Sequence, residues 1–276
     1  MARHISKPIT QMSKQASKLA EGDYDVDFSG RGYRESSELA ESLNYAASEL
    51  SKTDKLQKEL IANISHDLRT PLTMISGYAE MMRDIPGEMS AQNLQVILDE
   101  SKRLSSLVGD VMDLSRLGAN IESLDKSEFN LTKCIESVID RVGKMCASEG
   151  YKIEFSCDHD AIVYADENKI LQVIYNLITN AINHTGEDKR IFVRQIVSLE
   201  EKSVRIEVVD TGEGIAKEDI ENIWERYYKV DRVHKRANVG SGLGLSIVKS
   251  ILDLHCAKYG VESEQGKGST FYFELS

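Results

Sequence analysis

The chain has 276 residues, 41% hydrophobic and 29% charged, which is enough apolar material for a packed core and argues against wholesale disorder. Lys plus Arg number 34 against 45 for Asp plus Glu, a net charge of −11, and this argues against nucleic-acid binding, which is driven by neutralising phosphates. No run of about 18 apolar residues reads as a membrane span, and the cysteines, Cys134, Cys146, Cys157 and Cys256, lack CxxC or zinc-ligand spacing and read as reduced thiols.

Ile5, Ile9, Met12, Ala16 and Leu19 recur in steps of 4 and 3, a heptad seam. Gly22 suits the position after that helix. A short polar connector runs through Gly30 and Gly32, and a second seam follows at Leu39, Leu43, Ala46 and Leu50. Two such helices cannot bury their stripes alone and need a partner chain. The rhythm then slips at Thr53 and Gln57 and resumes at Ile61, Ile64 and Leu68. This stutter locally unwinds a coiled coil. It reads equally as a packing irregularity or as a junction that passes helix rotation onward.

The next seam carries Ile61, Ile64, Leu68, Ile75, Tyr78 and Met82 and breaks at Ile85-Pro86-Gly87. A third helix carries Leu94, Ile97, Ser101, Leu104, Val108 and Val111. The pair forms a hairpin with one apolar stripe per helix. Two hairpins complete a four-helix bundle, so residues 55–118 predict a homodimer.

Beyond Gly118 the pattern changes. Residues 130–148 read as a helix, and 152–155 and 162–164 as short strands. Asp166 is a suitable N-cap for a helix through about Asn183. Residues 191–197 and 204–209 read as strands, 211–240 as a polar irregular stretch, and 243–254 as a helix. A hairpin of 261–263 and 270–273, joined through Gly266-Lys-Gly268, closes the chain. The fold class expected is multidomain: coiled-coil helices, a dimeric bundle of helical hairpins, then an α/β sandwich whose long loop resembles a functional lid.

Several residues carry chemistry. His66 lies two positions past Ile64, on the outer face of the expected bundle. Asp67 can hold one imidazole nitrogen and leave the other nucleophilic. Pro71 cannot donate to the carbonyl of Asp67, so a bend is expected beside His66. Thr70 lies one turn from His66. Its hydroxyl can hold a water for hydrolysis, or the residue can simply ease the bend before Pro71. Asn176, Asn180 and Asn183 share one face of an otherwise apolar helix, where asparagine costs stability unless a ligand or water bonds it. Asp210-Thr-Gly212-Glu-Gly214 follows a strand and lets backbone approach a flat ligand, although it also reads as a plain turn. Gly240-Ser-Gly242-Leu243-Gly244-Leu245 opens a helix whose N–H groups suit phosphate. Neither a dinucleotide fingerprint nor a P-loop is present, so nucleotide binding must be of another kind.

These motifs together resemble the sensor histidine kinases. Asn63-Ile-Ser-His66-Asp67-Leu-Arg-Thr70-Pro71-Leu looks like their phosphoacceptor box, and Asn176-Leu-Ile-Thr-Asn180-Ala like their asparagine box. Asp210-Thr-Gly-Glu-Gly214 and Gly240-Ser-Gly-Leu-Gly-Leu245 match their glycine boxes. Ile223-Trp-Glu-Arg-Tyr-Tyr-Lys229 is similar to the aromatic box between them, and Gly266-Lys-Gly-Ser-Thr270-Phe to their closing hairpin. Residues 3–50 resemble, more loosely, a HAMP linker, through Pro8-Ile9, Glu21-Gly22-Asp23 and Glu38-Leu-Ala-Glu-Ser-Leu-Asn44.

The resemblance implies three domains: a HAMP-like linker over 1–52, a dimerisation and phosphotransfer hairpin over 53–122, and an ATP-binding domain of the GHKL (Bergerat) fold over 123–276. It implies ATP and Mg2+ as cofactors, with Asn180 as metal ligand and Asn176 in support. It implies that Asp210 accepts a hydrogen bond from the adenine amino group, and that Gly240, Gly242 and Gly244 let a lid close. Asn183, His184, Gly212, Gly214, Ile215, Tyr227, Leu243, Leu245 and Thr270 would complete the nucleotide site. His66 would take the γ-phosphoryl group, with Asp67 as base or orienter and Thr70 serving a phosphatase activity. The implied partners are a second copy and a response regulator receiver domain. The implied location is the cytoplasmic side of the bacterial membrane, through an upstream sensor region. Asn183 departs from the family's usual Lys or Arg, and Trp224 and Tyr227 stand where phenylalanines are usual. Two other classes compete: an ATPase of the same fold, which has no need of the His66 box, and a pseudokinase scaffold, which would be expected to lose Asn180, Asp210 or the glycines.

Overall fold

The computed structural model describes residues 2–30, 33–118, 124–198, 203–225, 228 and 242–276. The chain divides into two compact bodies, Met1–His66 and Asp67–Ser276.

In the first body, α1 (Ala2–Ala20) leads through a connector into α2 (Arg34–Asp84), whose later turns belong to the second body. Met12, Phe28, Ala40 and Ala47 are buried together, with Ala16, Leu19, Val26 and Leu43 packed against them. The connector is held by an amide clasp. Phe28 N–H donates to Asn44 Oδ1 at 2.8 Å, and Asn44 Nδ2 donates to Phe28 O at 2.9 Å. The seam expected at Leu39, Leu43, Ala46 and Leu50 is displaced. Ala40 and Ala47 turn inward, because the connector brings Phe28 and Val26 onto that side, while Leu39 and Leu50 stay 49% and 47% exposed.

In the second body, α2 runs unbroken through Pro71 to Asp84. The turn expected at Ile85-Pro86-Gly87 is present, with Gly87 at φ +94°. Ser90 Oγ then accepts from Asn93 N–H at 3.1 Å at the start of α3 (Ala91–Gly118). Both helices leave apolar side chains uncovered: Leu72, Leu94, Leu98 and Val108 are 45–55% exposed.

The rest of this body is a layered α/β unit. Its strands are β1 (Ser127–Asn130), β2 (Lys152–Cys157), β3 (Ile162–Ala165), β4 (Arg190–Ser198), β5 (Ser203–Asp210), β6 (Lys258–Glu264) and β7 (Gly268–Leu275). Its helices are α4 (Leu131–Cys146), α5 (Glu167–His184) and α6 (Gly244–Leu254). The main sheet has order β2-β4-β5-β7-β6, with β2 and β4 parallel and the other pairs antiparallel. Alternate residues Ile206, Val208, Phe271 and Phe273 are fully or nearly buried, and so are Ile135, Ile174, Ile178, Ile247 and Ile251 of the helices. The helices thus cover one sheet face, and the other carries Arg205, Glu207, Tyr272 and Glu274.

One strand was not legible. β1 pairs antiparallel with β3, yet the sequence reads as helix from residue 130. Asn130 ends that strand and caps α4, accepting from Lys133 N–H at 3.0 Å. A residue that serves both elements blurs the boundary.

Candidate functional site

α5 supplies one wall of the site. Asp166 caps it by accepting from Lys169 N–H at 3.1 Å. Ile170, Val173, Ile174, Leu177, Ile178 and Ala181 point into the core, which leaves half-buried Asn176, Asn180 and Asn183 along another face. Asn176 Nδ2 reaches Gly244 O at 3.5 Å and so ties α5 to the first turn of α6. Among the described residues no side chain caps α6, and a helix N-terminus is the arrangement that favours an anion. Gly242 stands at φ +69°, Leu243 is fully buried, and Gly244 and Leu245 are half-buried.

Asp210 ends β5 and is only 3% exposed. Burial pushes its carboxyl above the ordinary value, against the bonds it accepts from Gly212 N–H and from the backbone and hydroxyl of Ser269. The Gly212 bond is 2.8 Å. A side chain at Gly212 would run into the carbonyl of His184, so the β5 exit and the α5 terminus meet backbone to backbone. His184 is exposed at the end of α5, where partial desolvation of its imidazole lowers its pKa while Asp210 and Glu213 pull it the other way. Gly214 stands at φ +69° against the backbone of Glu264. Ile215 N–H donates to Ser263 Oγ at 2.8 Å, and Ser263 Oγ donates to Gly268 O at 2.9 Å, which fastens the loop after β5 to the β6–β7 hairpin.

Thr270 lies one residue along β7 from the residue paired with Asp210. It pairs with Val209, whereas Ser269 pairs with Asp210. Side chains alternate along a strand, so Ser269 shares the covered face with Phe271 and Phe273 and bonds Asp210, while Thr270 lies on the open face. The signal was available: Phe271 and Phe273 mark the core parity, which Ser269 shares. Sequence reasoning also passed over Thr185 and Thr211, polar groups that lie against this site. Tyr227 and Gly240 lie outside the described residues.

His66, Asp67 and Thr70 lie within α2, with His66 and Thr70 exposed and Asp67 half-buried. Among the described residues no group of three His, Cys, Asp or Glu could hold a metal ion. The donor set on α5 nevertheless fits magnesium, since an asparagine amide offers a hard oxygen and this ion is commonly held by one or two protein oxygens together with substrate phosphates.

Three family models match the sequence. They are the HAMP domain over residues 1–52, the His Kinase A phospho-acceptor domain over 56–120, and the histidine kinase-, DNA gyrase B- and HSP90-like ATPase over 165–276. Sensor histidine kinase YclK of Bacillus subtilis (strain 168) is 32% identical over 279 residues, covering 98% of this chain and 58% of that protein. The chain therefore spans little more than half of that relative's length. The crystal structure of histidine kinase ThkA in complex with response regulator protein TrrA is 28% identical with a TM-score of 0.64, covering 82% of this chain and 63% of that one. Full-length ShkA in complex with AMPPNP is 26% identical with a TM-score of 0.59, covering 79% and 45%.

Proposed function

The chain belongs to the sensor histidine kinases, and from that premise we propose that it takes the γ-phosphoryl group of ATP onto His66 and passes it to an aspartate of a response regulator receiver domain. The observation that carries the reading is the buried Asp210 carboxylate at the end of β5, beside the asparagine face of α5 and the start of α6. One wall thus offers an acceptor for a purine amino group, and the others offer amides and helix-terminal N–H groups for phosphates.

Asp210 accepts from the adenine amino group. Gly212 and Gly214 let the backbone lie close to the base, and Ile215 gives it an apolar contact. Asn180 would hold magnesium by its amide oxygen, with Asn176 supporting it through the tie to Gly244, and the ion supplies charge neutralisation along the phosphates. Asn183 and His184 extend the same face. An amide at position 183 bonds phosphate without adding charge, which makes that contact weaker than a Lys or Arg would. Gly242, Leu243, Gly244 and Leu245 belong to the side that encloses the phosphates.

At His66, one imidazole nitrogen attacks the γ-phosphorus as the bond to the bridging oxygen of ADP breaks. Asp67 orients the ring and accepts the proton released from its other nitrogen. Catalysis comes from positioning and charge rather than from a strong base. Thr70 then holds the water that hydrolyses the regulator's aspartyl phosphate.

The exposed apolar residues of α2 and α3, Leu72, Leu94, Leu98 and Val108, are the surface a second copy would cover. The domain limits we propose are 1–52, 53–122 and 123–276. The last begins ahead of the ATPase match because β2 joins the main sheet through β4. We place the chain at the cytoplasmic face of a membrane, reached through a sensor region outside it, since residues 1–52 match the HAMP domain model.

The test is transfer. The chain is incubated with γ-labelled ATP, freed of nucleotide, and mixed with a panel of purified receiver domains. Label should leave the chain and appear on one of them. A chain that only releases phosphate, with no labelled protein at any time, is an ATPase and the proposal fails.

A further inference from the structure

We infer that Asp188, acting through Thr211 and Thr185, is a positioning residue that holds the adenine end of the site in register with the asparagine face of α5. This rests on the nucleotide reading of Asp210 and Asn180 given above. That reading divides recognition of one ligand between two elements, the end of β5 and the exposed face of α5, and something must fix the spacing between them.

The loop from α5 to β4 does so. Thr211 Oγ1 lies 2.5 Å from Asp188 Oδ1 and 3.0 Å from Thr185 Oγ1. A carboxylate only accepts, so the Thr211 hydroxyl donates to Asp188 and its lone pairs face the Thr185 hydroxyl. The single proton of Thr185 is shared between Thr211 and Arg190 O, which is 2.9 Å away at the start of β4. Thr211 N–H also points at Thr185 Oγ1, at 3.5 Å. The direction of the relay is therefore set by the carboxylate at its end.

A second observation agrees. The same two segments touch backbone to backbone at two glycines. A Cβ on Gly186 would stand 2.7 Å from Thr211 O, and one on Gly212 would overlap the carbonyl of His184. No side chain lies between the segments at those points, so any shift of Thr211 passes directly to Asp210, its neighbour in sequence. Asp188 itself is exposed, whereas Thr185 is buried. A solvated carboxylate adds little to fold stability, so its effect on the ligand can be separated from an effect on folding.

The experiment uses the full chain and two nucleotides, ATP and purine riboside triphosphate, which lacks the 6-amino group that Asp210 would read. The wild type should prefer ATP. Asp188→Ala should bind ATP roughly 5- to 10-fold more weakly, the scale of one net hydrogen bond. Its preference over the amino-free analogue should fall by a similar factor, with the melting temperature unchanged. Asp188→Asn keeps an acceptor oxygen and should restore both. An unaltered preference in Asp188→Ala overturns the inference, whether affinity holds or drops in step with melting temperature. Asp210→Asn serves as control. If it binds ATP as the wild type does, premise and inference fall together. If it loses binding while Asp188→Ala keeps the wild-type preference, the inference falls alone.

Discussion

Replacing Asp210 by asparagine sets two effects against each other. The carboxylate collects bonds from Gly212 N–H and from the N–H and hydroxyl of Ser269. An amide has one acceptor oxygen with two lone pairs, so it cannot satisfy all three donors, and leaving one unpaired costs about 1–3 kcal/mol. The charge itself, however, is disfavoured by burial, which is why the carboxyl pKa is raised. An acid with a raised folded pKa stabilises the fold at low pH and forfeits that contribution as pH rises through it, so at pH 7 a neutral amide is relieved of the penalty. The two terms oppose, and the net change should stay near 1 kcal/mol, a shift of only about 2–4 °C in melting temperature for a domain of this size. Binding has no such compensation. The amide NH2 meets the adenine amino group donor to donor, and a lost bond with its donors unpaired costs about 3 kcal/mol, roughly 100-fold in Kd. Titration calorimetry with a non-hydrolysable ATP analogue, beside a thermal melt, reads both. Wild-type affinity in Asp210→Asn would refute the assignment, and collapse of the fold would refute the balance of terms.

Further outcomes follow from other parts of the molecule. His255 Nε2 accepts from Asp166 N–H at 3.1 Å, its Nδ1 lies 2.8 Å from Ile251 O, and burial lowers its pKa. Stability is therefore full above the ordinary histidine value of about 6.5 and declines as pH falls below it. His255→Gln should flatten the dependence of the urea midpoint between pH 7.5 and 5.5, and an unchanged slope would show that another group governs it. Thr70→Ala should leave autophosphorylation and melting temperature near wild type, as an exposed substitution shifts stability by about 0.5 kcal/mol or less, while slowing dephosphorylation of the regulator. Equal loss of both activities would point instead to the bend before Pro71. A fragment of residues 125–276 keeps every strand of the main sheet, and the bond from Asp125 N–H to Asp166 Oδ2 at 3.1 Å. It should be a folded monomer that binds ATP without phosphorylating itself, and a dimer at micromolar concentration would move the boundary of the dimerisation unit.

What the sequence revealed follows from how strongly each pattern is tied to one geometry. The α5 pattern was readable because an N-cap, an apolar face and three asparagines agree on one helical period, and the helix runs as expected to within a residue. The strands beside it were readable from alternation. β1 was not, because four residues ending in a helix cap give no period of their own. The second seam was misplaced for a different reason. Leucines suggest the buried stripe, but the connector brings Phe28 onto the side that carries Ala40 and Ala47, and only folding reveals which residues lie across from it. Ser269 was passed over in the closing hairpin, although it shares strand parity with Phe271 and Phe273. The pair Thr185 and Thr211 could not be found by spacing, since 26 residues separate two hydroxyls only 3.0 Å apart.

The central claim is that His66 carries the phosphoryl group, and its chemistry gives the most direct measurement. Wild-type chain and His66→Gln are incubated with γ-labelled ATP, denatured, and divided between acid and base. A phosphorus–nitrogen bond is cleaved by acid and survives base, the reverse of an aspartyl phosphate. The wild type should hold label that acid removes and base does not, and His66→Gln should bind ATP with unchanged affinity and hold none. Acid-stable label on the wild type, or label on His66→Gln, would contradict the account.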